Sequence, residues 1–195
     1  MKILTLRKYD IEKTVSLHIK ALPETTSSKI GESYLRQIYR TIYKNKKNNS
    51  SLVALKNGSI VGVITATSDL KLLGDQFKGA LTLKDYFSII KSLTTNKITL
   101  KELFQKYIFE KELIKNYKKK YLAITVLFVN KDSRKKGIGK KLVLALIRNY
   151  EKTGENIYVD TLSINVNAIG FYKSLGFKTI KKIKDSTLLI FETYR

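Results

Sequence analysis

The 195-residue sequence contains no cysteine, one proline (Pro23) and one histidine (His18). The first absence removes disulfides, thiolate zinc sites and cysteine-bound covalent intermediates together, so any group transfer must be direct or use another nucleophile. No metal site is expected. With proline this scarce and 43% of residues hydrophobic, the composition is that of an ordinary folded protein, neither disordered nor collagen-like. Long apolar runs are also lacking. Ile3, Leu4 and Leu6 are interrupted by Arg7, Lys8 and Asp10, which leaves no signal-peptide core, and no stretch approaches membrane-spanning length. A cytoplasmic protein without a membrane partner is the expectation. The length suits one core and is short for two, so residues 1–195 are read as a single domain.

Acidic residues are few: 16 Asp and Glu stand against 38 Lys and Arg, for a formal charge of +22. Such a field attracts phosphates, nucleic acid and anionic surfaces, but it bears on partners and solubility rather than on fold. The basic residues are dispersed over Lys44 to Lys47, Lys118 to Lys120, Arg134 to Lys136 and Lys181 to Lys184, so most read as solvated surface.

The pattern of elements is more informative. Lys2 to Leu6 reads as a strand, and Asp10 as the cap of a helix that carries Ile11, Val15, His18 and Leu22 and is ended by Pro23. After a polar stretch from Glu24 to Lys29, Tyr34, Leu35, Ile38, Tyr39 and Ile42 share one helical face. Asn57-Gly58 sits between the apolar and β-branched runs 51–56 and 60–67 and predicts a hairpin, because both positions of a type I′ turn need positive φ. Residues 69–120 then change period. Leu83, Tyr86, Phe87 and Ile90, and again Leu100, Leu103, Phe104, Tyr107 and Ile108, repeat at helical spacing and predict a helical insertion or lid after the third strand.

Tyr121 to Val129 is continuously apolar and predicts a central strand covered on both faces. A helix over 139–152, a strand over 156–160 and a helix over 167–175 closed by Gly176 follow, with strands near 177–183 and 187–193. This order predicts an α/β domain with helices packed on a mixed sheet.

Between the central strand and the next helix lies Arg134-Lys135-Lys136-Gly137-Ile138-Gly139. A helix start carries unpaired N–H groups and the positive end of the macrodipole, so it can hold a pyrophosphate if the backbone can approach closely. Gly137 and Gly139 supply that clearance. Arg134, Lys135, Lys136 and Lys140 would add salt-sensitive positive charge around the same anion. The spacing alone fits equally a strand-to-helix turn that binds nothing.

The turn Arg134-x-x-Gly137-x-Gly139, followed some thirty residues later by Asn165-x-x-Ala168-x-x-x-Tyr172-x-x-x-Gly176-Phe177, resembles the GNAT (GCN5-related) N-acetyltransferase superfamily. The resemblance is close over residues 121–182 and looser over 2–67, and the insertion at 69–120 falls outside the family's usual motifs. It implies a GNAT-type mixed sheet that splays at its centre, with helices on both faces, and acetyl-coenzyme A as cosubstrate. By the same resemblance Leu127, Phe128 and Val129 end the strand along which the pantetheine arm runs, and their backbone groups would polarise the thioester carbonyl. Tyr172 matches the tyrosine that protonates the departing thiolate, Asn165 matches one that contacts the cofactor or orders the strand, and Ala168 keeps the helix face small. Asn167 is a candidate cap for that helix.

A neutral amine must attack, so a base is needed. Many family members carry a glutamate on the central strand, where this sequence has Ala123, Ile124 and Thr125. Thr125 as the holder of a relay water and Asp160 as the base are the remaining candidates, and His18 reads as a structural residue on an apolar stripe. The expected acceptor is a small-molecule amine ahead of a protein, seated between the opening helices and the insertion. The alternative reading is a noncatalytic nucleic-acid or polyanion binder, supported by the net charge and by Tyr117-Lys118-Lys119-Lys120-Tyr121 but by no nucleic-acid motif. Whether the chain forms a homodimer is left open.

Overall fold

The computed structural model describes residues 1–95, 121–183 and 185–193. Seven strands form one sheet in the order β1-β2-β3-β4-β5-β7-β6. They are β1 (Lys2–Thr5), β2 (Asn49–Lys56), β3 (Ser59–Thr67), β4 (Tyr121–Val129), β5 (Asn156–Leu162), β6 (Lys178–Ile183) and β7 (Ser186–Phe191). All neighbours are antiparallel except β4 and β5. The helices are α1 (Ile11–Ala21), α2 (Thr26–Ile30), α3 (Glu32–Lys44), α4 (Leu70–Gly79), α5 (Leu83–Thr95), α6 (Ile138–Tyr150) and α7 (Val166–Lys173). This is the mixed α/β architecture expected, with the insertion opening as α4 and α5. The predicted repeat from Leu100 to Ile108 and the basic run at Lys118 to Lys120 lie outside the described residues.

Side-chain alternation divides the core between the two faces of the sheet. Val53, Val63 and Phe128 pack with Leu6, Val15, Leu35 and Tyr39 under α1 and α3. Leu52, Ile64, Leu122, Ile157 and Leu189 pack on the other face with Leu142 and Leu146 of α6. Removing each such side chain from water stabilises the fold by about 1.5–3 kcal/mol. Gly62 lets α6 approach the sheet: a Cβ there would stand 3.1 Å from Leu142 and 3.2 Å from both Ile138 and the Phe128 carbonyl.

The turn chemistry follows the sequence in most places. Asn57 and Gly58 adopt φ of 50° and 76°, as the hairpin requires. Gly176, at φ 93°, closes α7: the Phe177 amide donates to the Tyr172 carbonyl and the Gly176 amide to that of Lys173. Two caps differ from expectation. Asp10 makes no side-chain cap bond, because Arg7 Nε donates to its buried carboxylate at 2.7 Å instead. At α7 the cap is Asn165 rather than Asn167, its Oδ1 accepting from the Ala168 amide at 3.1 Å.

Candidate active site

β4 and β5 pair only from Tyr121↔Asn156 to Ile124↔Val159. Beyond that point β5 continues against β7 and β4 continues against β3, so the two strands separate. A bulge marks the same place: Val126 faces Thr65 and Ile124 faces Ala66, which leaves Thr125 without a partner in the ladder. The Asn130 amide donates to the Val61 carbonyl. By antiparallel alternation, the N–H and C=O groups of Leu127 and Val129 therefore point away from β3 and into the opening, whereas those of Phe128 belong to the β3 pairing. Of the three predicted cofactor-strand residues, two present main-chain groups to the gap. The Phe128 ring instead packs on His18, with ring centroids 5.0 Å apart.

The turn after β4 runs through a single 3-10 turn at Lys131–Ser133 and enters α6 at Gly137, the N-cap. Lys135 and Gly137 both take left-handed conformations, φ 59° and 73°. Alternation of this kind curls successive amides toward one point, which is the geometry of an anion nest. Among the described residues, the amides of Lys135, Lys136, Gly137, Ile138, Gly139 and Lys140 donate to no carbonyl or side chain. They add to the positive end of the α6 dipole. The helix start at Gly139 lies beside α7, where a Cβ would meet the Phe171 ring at an ordinary contact distance of 3.4 Å.

The basic side chains divide between two tasks. Arg134 is a strut: its Nε donates to the Val129 carbonyl at 3.1 Å and its Nη2 to the Ala21 carbonyl at 2.7 Å, which ties the turn to β4 and to the end of α1. Lys136 Nζ donates to the Asp132 carbonyl at 2.7 Å. Lys135 and Lys140 are exposed beside the open amides.

Tyr172 is buried on α7, its ring edge-on to Phe171 and Phe177. Burial, and secondarily the charge of Asp160, push its hydroxyl well above the ordinary tyrosine value, so it remains protonated. Asn165 caps the helix that carries this tyrosine, and Ala168 supplies the capped amide.

On the other side of the sheet, a cavity of about 360 Å³ lies between β3, β4 and the helices α1 to α4. Its floor includes Thr65 and Thr125, whose hydroxyl oxygens are 2.7 Å apart. His18 lines it, with Nδ1 2.7 Å from the Tyr39 hydroxyl and Nε2 3.5 Å from that of Ser27, so the histidine is held structurally as expected and also faces the cavity. Burial raises the Tyr39 pKa above the ordinary tyrosine value, keeping that hydroxyl protonated. Thr65, Tyr39 and Ser27 were not legible as site residues. The bulge and the short helix α2 that bring them together leave no periodic signal.

A parting of parallel strands, main-chain groups facing the gap and a run of open amides at a helix start define the class: an acyl-coenzyme-A-dependent acyltransferase. The acetyltransferase (GNAT) family model matches residues 16–177, and the chain belongs to that family. The family uses acetyl-coenzyme A and acts on amines of small molecules or proteins. Solved structures with the same fold include PH1933 from Pyrococcus horikoshii OT3, with 19% identity, a TM-score of 0.65 and coverage of 100% of this chain and 99% of that one. They also include the PaiA N-acetyltransferase of Thermoplasma acidophilum in complex with coenzyme A, with 14% identity, a TM-score of 0.62 and coverage of 98% of both chains. The ribosomal-protein-S18-alanine N-acetyltransferase of Escherichia coli is similar at 14% identity and a TM-score of 0.59, over 100% of this chain and 94% of that one. A comparison with curated proteins finds none that matches. Among the described residues no helix is long and apolar enough to cross a membrane.

Proposed function

We propose that this chain moves an acetyl group from acetyl-coenzyme A to a primary amine by direct attack within a ternary complex, the small-molecule acceptor occupying the cavity under α1 to α4. The observation that carries the reading is the run of open amides from Lys135 to Lys140 set beside the Leu127 main-chain groups and the Val129 amide, which point away from β3, the Val129 carbonyl being taken by Arg134. The amides, with Gly137 and Gly139 clearing their approach, hold the pyrophosphate, and the side chains of Lys135, Lys136 and Lys140 add charge around it. Arg134 fixes the turn. Leu127 and Val129 take up the pantetheine amides as a further strand would.

Binding both reactants at the parting of β4 and β5 lowers the entropic barrier to their meeting. The amine nitrogen forms a bond to the thioester carbonyl carbon, and the oxygen gains negative charge that main-chain N–H groups of β4 stabilise. The carbon–sulfur bond then breaks, and the Tyr172 hydroxyl gives its proton to the departing thiolate and regains one from solvent before the next turnover. The surplus proton of the amine leaves through water held at Thr125. That route is favoured over Asp160 because Thr125 lines the acceptor cavity, while Asp160 acts electrostatically on Tyr172.

Gly137→Glu tests the reading. The substitution places a carboxylate on a left-handed residue among the open amides, and is expected to weaken coenzyme A binding at least tenfold in a calorimetric titration. Equal affinity of the variant and the parent protein would defeat the proposed phosphate site.

A further inference from the structure

The lining of the acceptor cavity narrows the amine that fits it. Ile38 and Ile42 of α3 and Leu70, Leu73 and Phe77 of α4 give the cavity apolar and aromatic walls, while His18, Tyr39 and Ser27 on α1 to α3 turn polar atoms toward one another. Tyr34 stands edge-on to Phe77 with ring centroids 5.0 Å apart, an arrangement that leaves ring surface for a third aromatic group. A further polar pair, the hydroxyls of Thr65 and Thr125, lies on the sheet side. Each hydroxyl of the Thr65–Thr125 pair has one proton and two lone pairs, so after bonding each other the two oxygens still have lone pairs that can accept from an ammonium. The bulge at Thr125 puts this pair where β4 leaves β5, next to the strand edge on which the thioester is expected.

Among the described residues of the lining the one lysine, Lys78, is exposed near the C-terminal end of α4, eight positions beyond Leu70 and hence about 12 Å along the helix axis. It therefore marks the end of the cavity remote from Leu70, which packs with Ala123 and Tyr158 at the paired part of β4 and β5. A substrate with a second ammonium group would have to strip water from that charge against Leu73, Ile38 and Ile42, with Lys78 repelling it and the field of a +22 protein around it. A monocation with an aryl or alkyl body meets the same field with one charge only, held at the hydroxyl pair, and buries no second charge against these walls or beside Lys78.

From this juxtaposition of a hydroxyl pair on the sheet, aromatic and aliphatic walls and a lysine at the far end, we infer that the acceptor is a monocationic amine on an apolar, preferably aromatic, body, and that polyamines and aminoglycosides are excluded. The inference rests on the acyl-transfer reading above and adds the substrate class. Coenzyme A release is to be measured with phenethylamine, hexylamine, spermidine and kanamycin, alongside a calorimetric titration of coenzyme A alone. The expected result is a kcat/KM for phenethylamine at least tenfold above those for spermidine and kanamycin, with hexylamine between. In Leu73→Glu, checked for folding by circular dichroism, the added carboxylate should shrink the preference for phenethylamine over spermidine several-fold. Coenzyme A binding together with faster turnover of spermidine or kanamycin, or with turnover of none of the four amines, would overturn the inference and leave the cofactor site standing. A preference unmoved by Leu73→Glu in a folded variant would also overturn it. Failure of coenzyme A to bind would remove the transfer reading and this inference together.

Discussion

On the proposed mechanism, Tyr172 carries both packing and chemistry. Its ring belongs to the core beside Phe177, while its hydroxyl is kept protonated by burial and by the charge of Asp160. Tyr172→Phe keeps the ring and removes the proton donor. The expected outcome is a loss in kcat of about 100-fold with little change in coenzyme A affinity, read by steady-state kinetics and by calorimetry. Unchanged turnover under chemistry-limited conditions would take Tyr172 out of the mechanism. The helix that carries it was legible because it announces itself twice, through the Asn165-to-Gly176 spacing and through the glycine that ends it. Gly137 was legible for a similar reason, since a left-handed helix start has few occupants. Arg134 was legible as a position but not as a strut. Its partners, the carbonyls of Val129 and Ala21, come from two elements whose meeting no local pattern encodes.

At the scale of elements, helical periodicity identified α5 correctly, yet the side chains that carried the signal do not enter a core. Leu83, Phe87 and Ile90 are 79%, 73% and 57% exposed. What attaches the helix is polar. The Asp85 carboxylate accepts from Ser33 and from Gln37 Nε2 of α3, and from the Thr82 amide and hydroxyl at the start of α5, while the Asp85 amide donates back to the Thr82 hydroxyl as a capping box. These bonds, led by that from Ser33, hold the Asp85 carboxyl well below the ordinary carboxylate range. A depressed folded-state pKa gives a contribution that is complete above the unfolded value of about 3.9 and is lost as pH falls below it toward the folded value. Amide exchange over residues 83–95 should therefore accelerate selectively between pH 5 and pH 2, after correction for intrinsic rates, and Asp85→Ala should show the same acceleration already at pH 7. Protection of that segment unchanged in the variant would mean that other contacts hold α5. The short helix α2 was missed for the opposite reason. Its five residues, capped by Thr25, are too few and too polar to show a period, although they carry Ser27 to His18.

For the whole molecule, the strands and their sequence along the chain were legible wherever strands are apolar and turns have demanding backbone angles, whereas the order of strands across the sheet was not. The splay was expected from the family resemblance alone, because it arises from where pairing stops rather than from any residue type. Net charge stands apart from both: +22 says nothing about topology but sets the field that anions meet. At the proposed phosphate turn the two kinds of donor should respond differently to salt. The amides from Lys135 to Lys140 are fixed by the fold and act at contact distance, whereas the ammonium groups of Lys135 and Lys140 are exposed and screened over a Debye length of about 10 Å at 0.1 M salt. Raising sodium chloride from 50 to 500 mM should thus weaken coenzyme A binding several-fold without abolishing it. Replacing Lys135, Lys136 and Lys140 together by alanine should lower affinity at 50 mM and flatten the salt dependence, so that parent and variant converge at high salt in parallel calorimetric titrations. Loss of all measurable binding in the triple variant would assign recognition to the side chains and reduce the backbone arc to a passive turn.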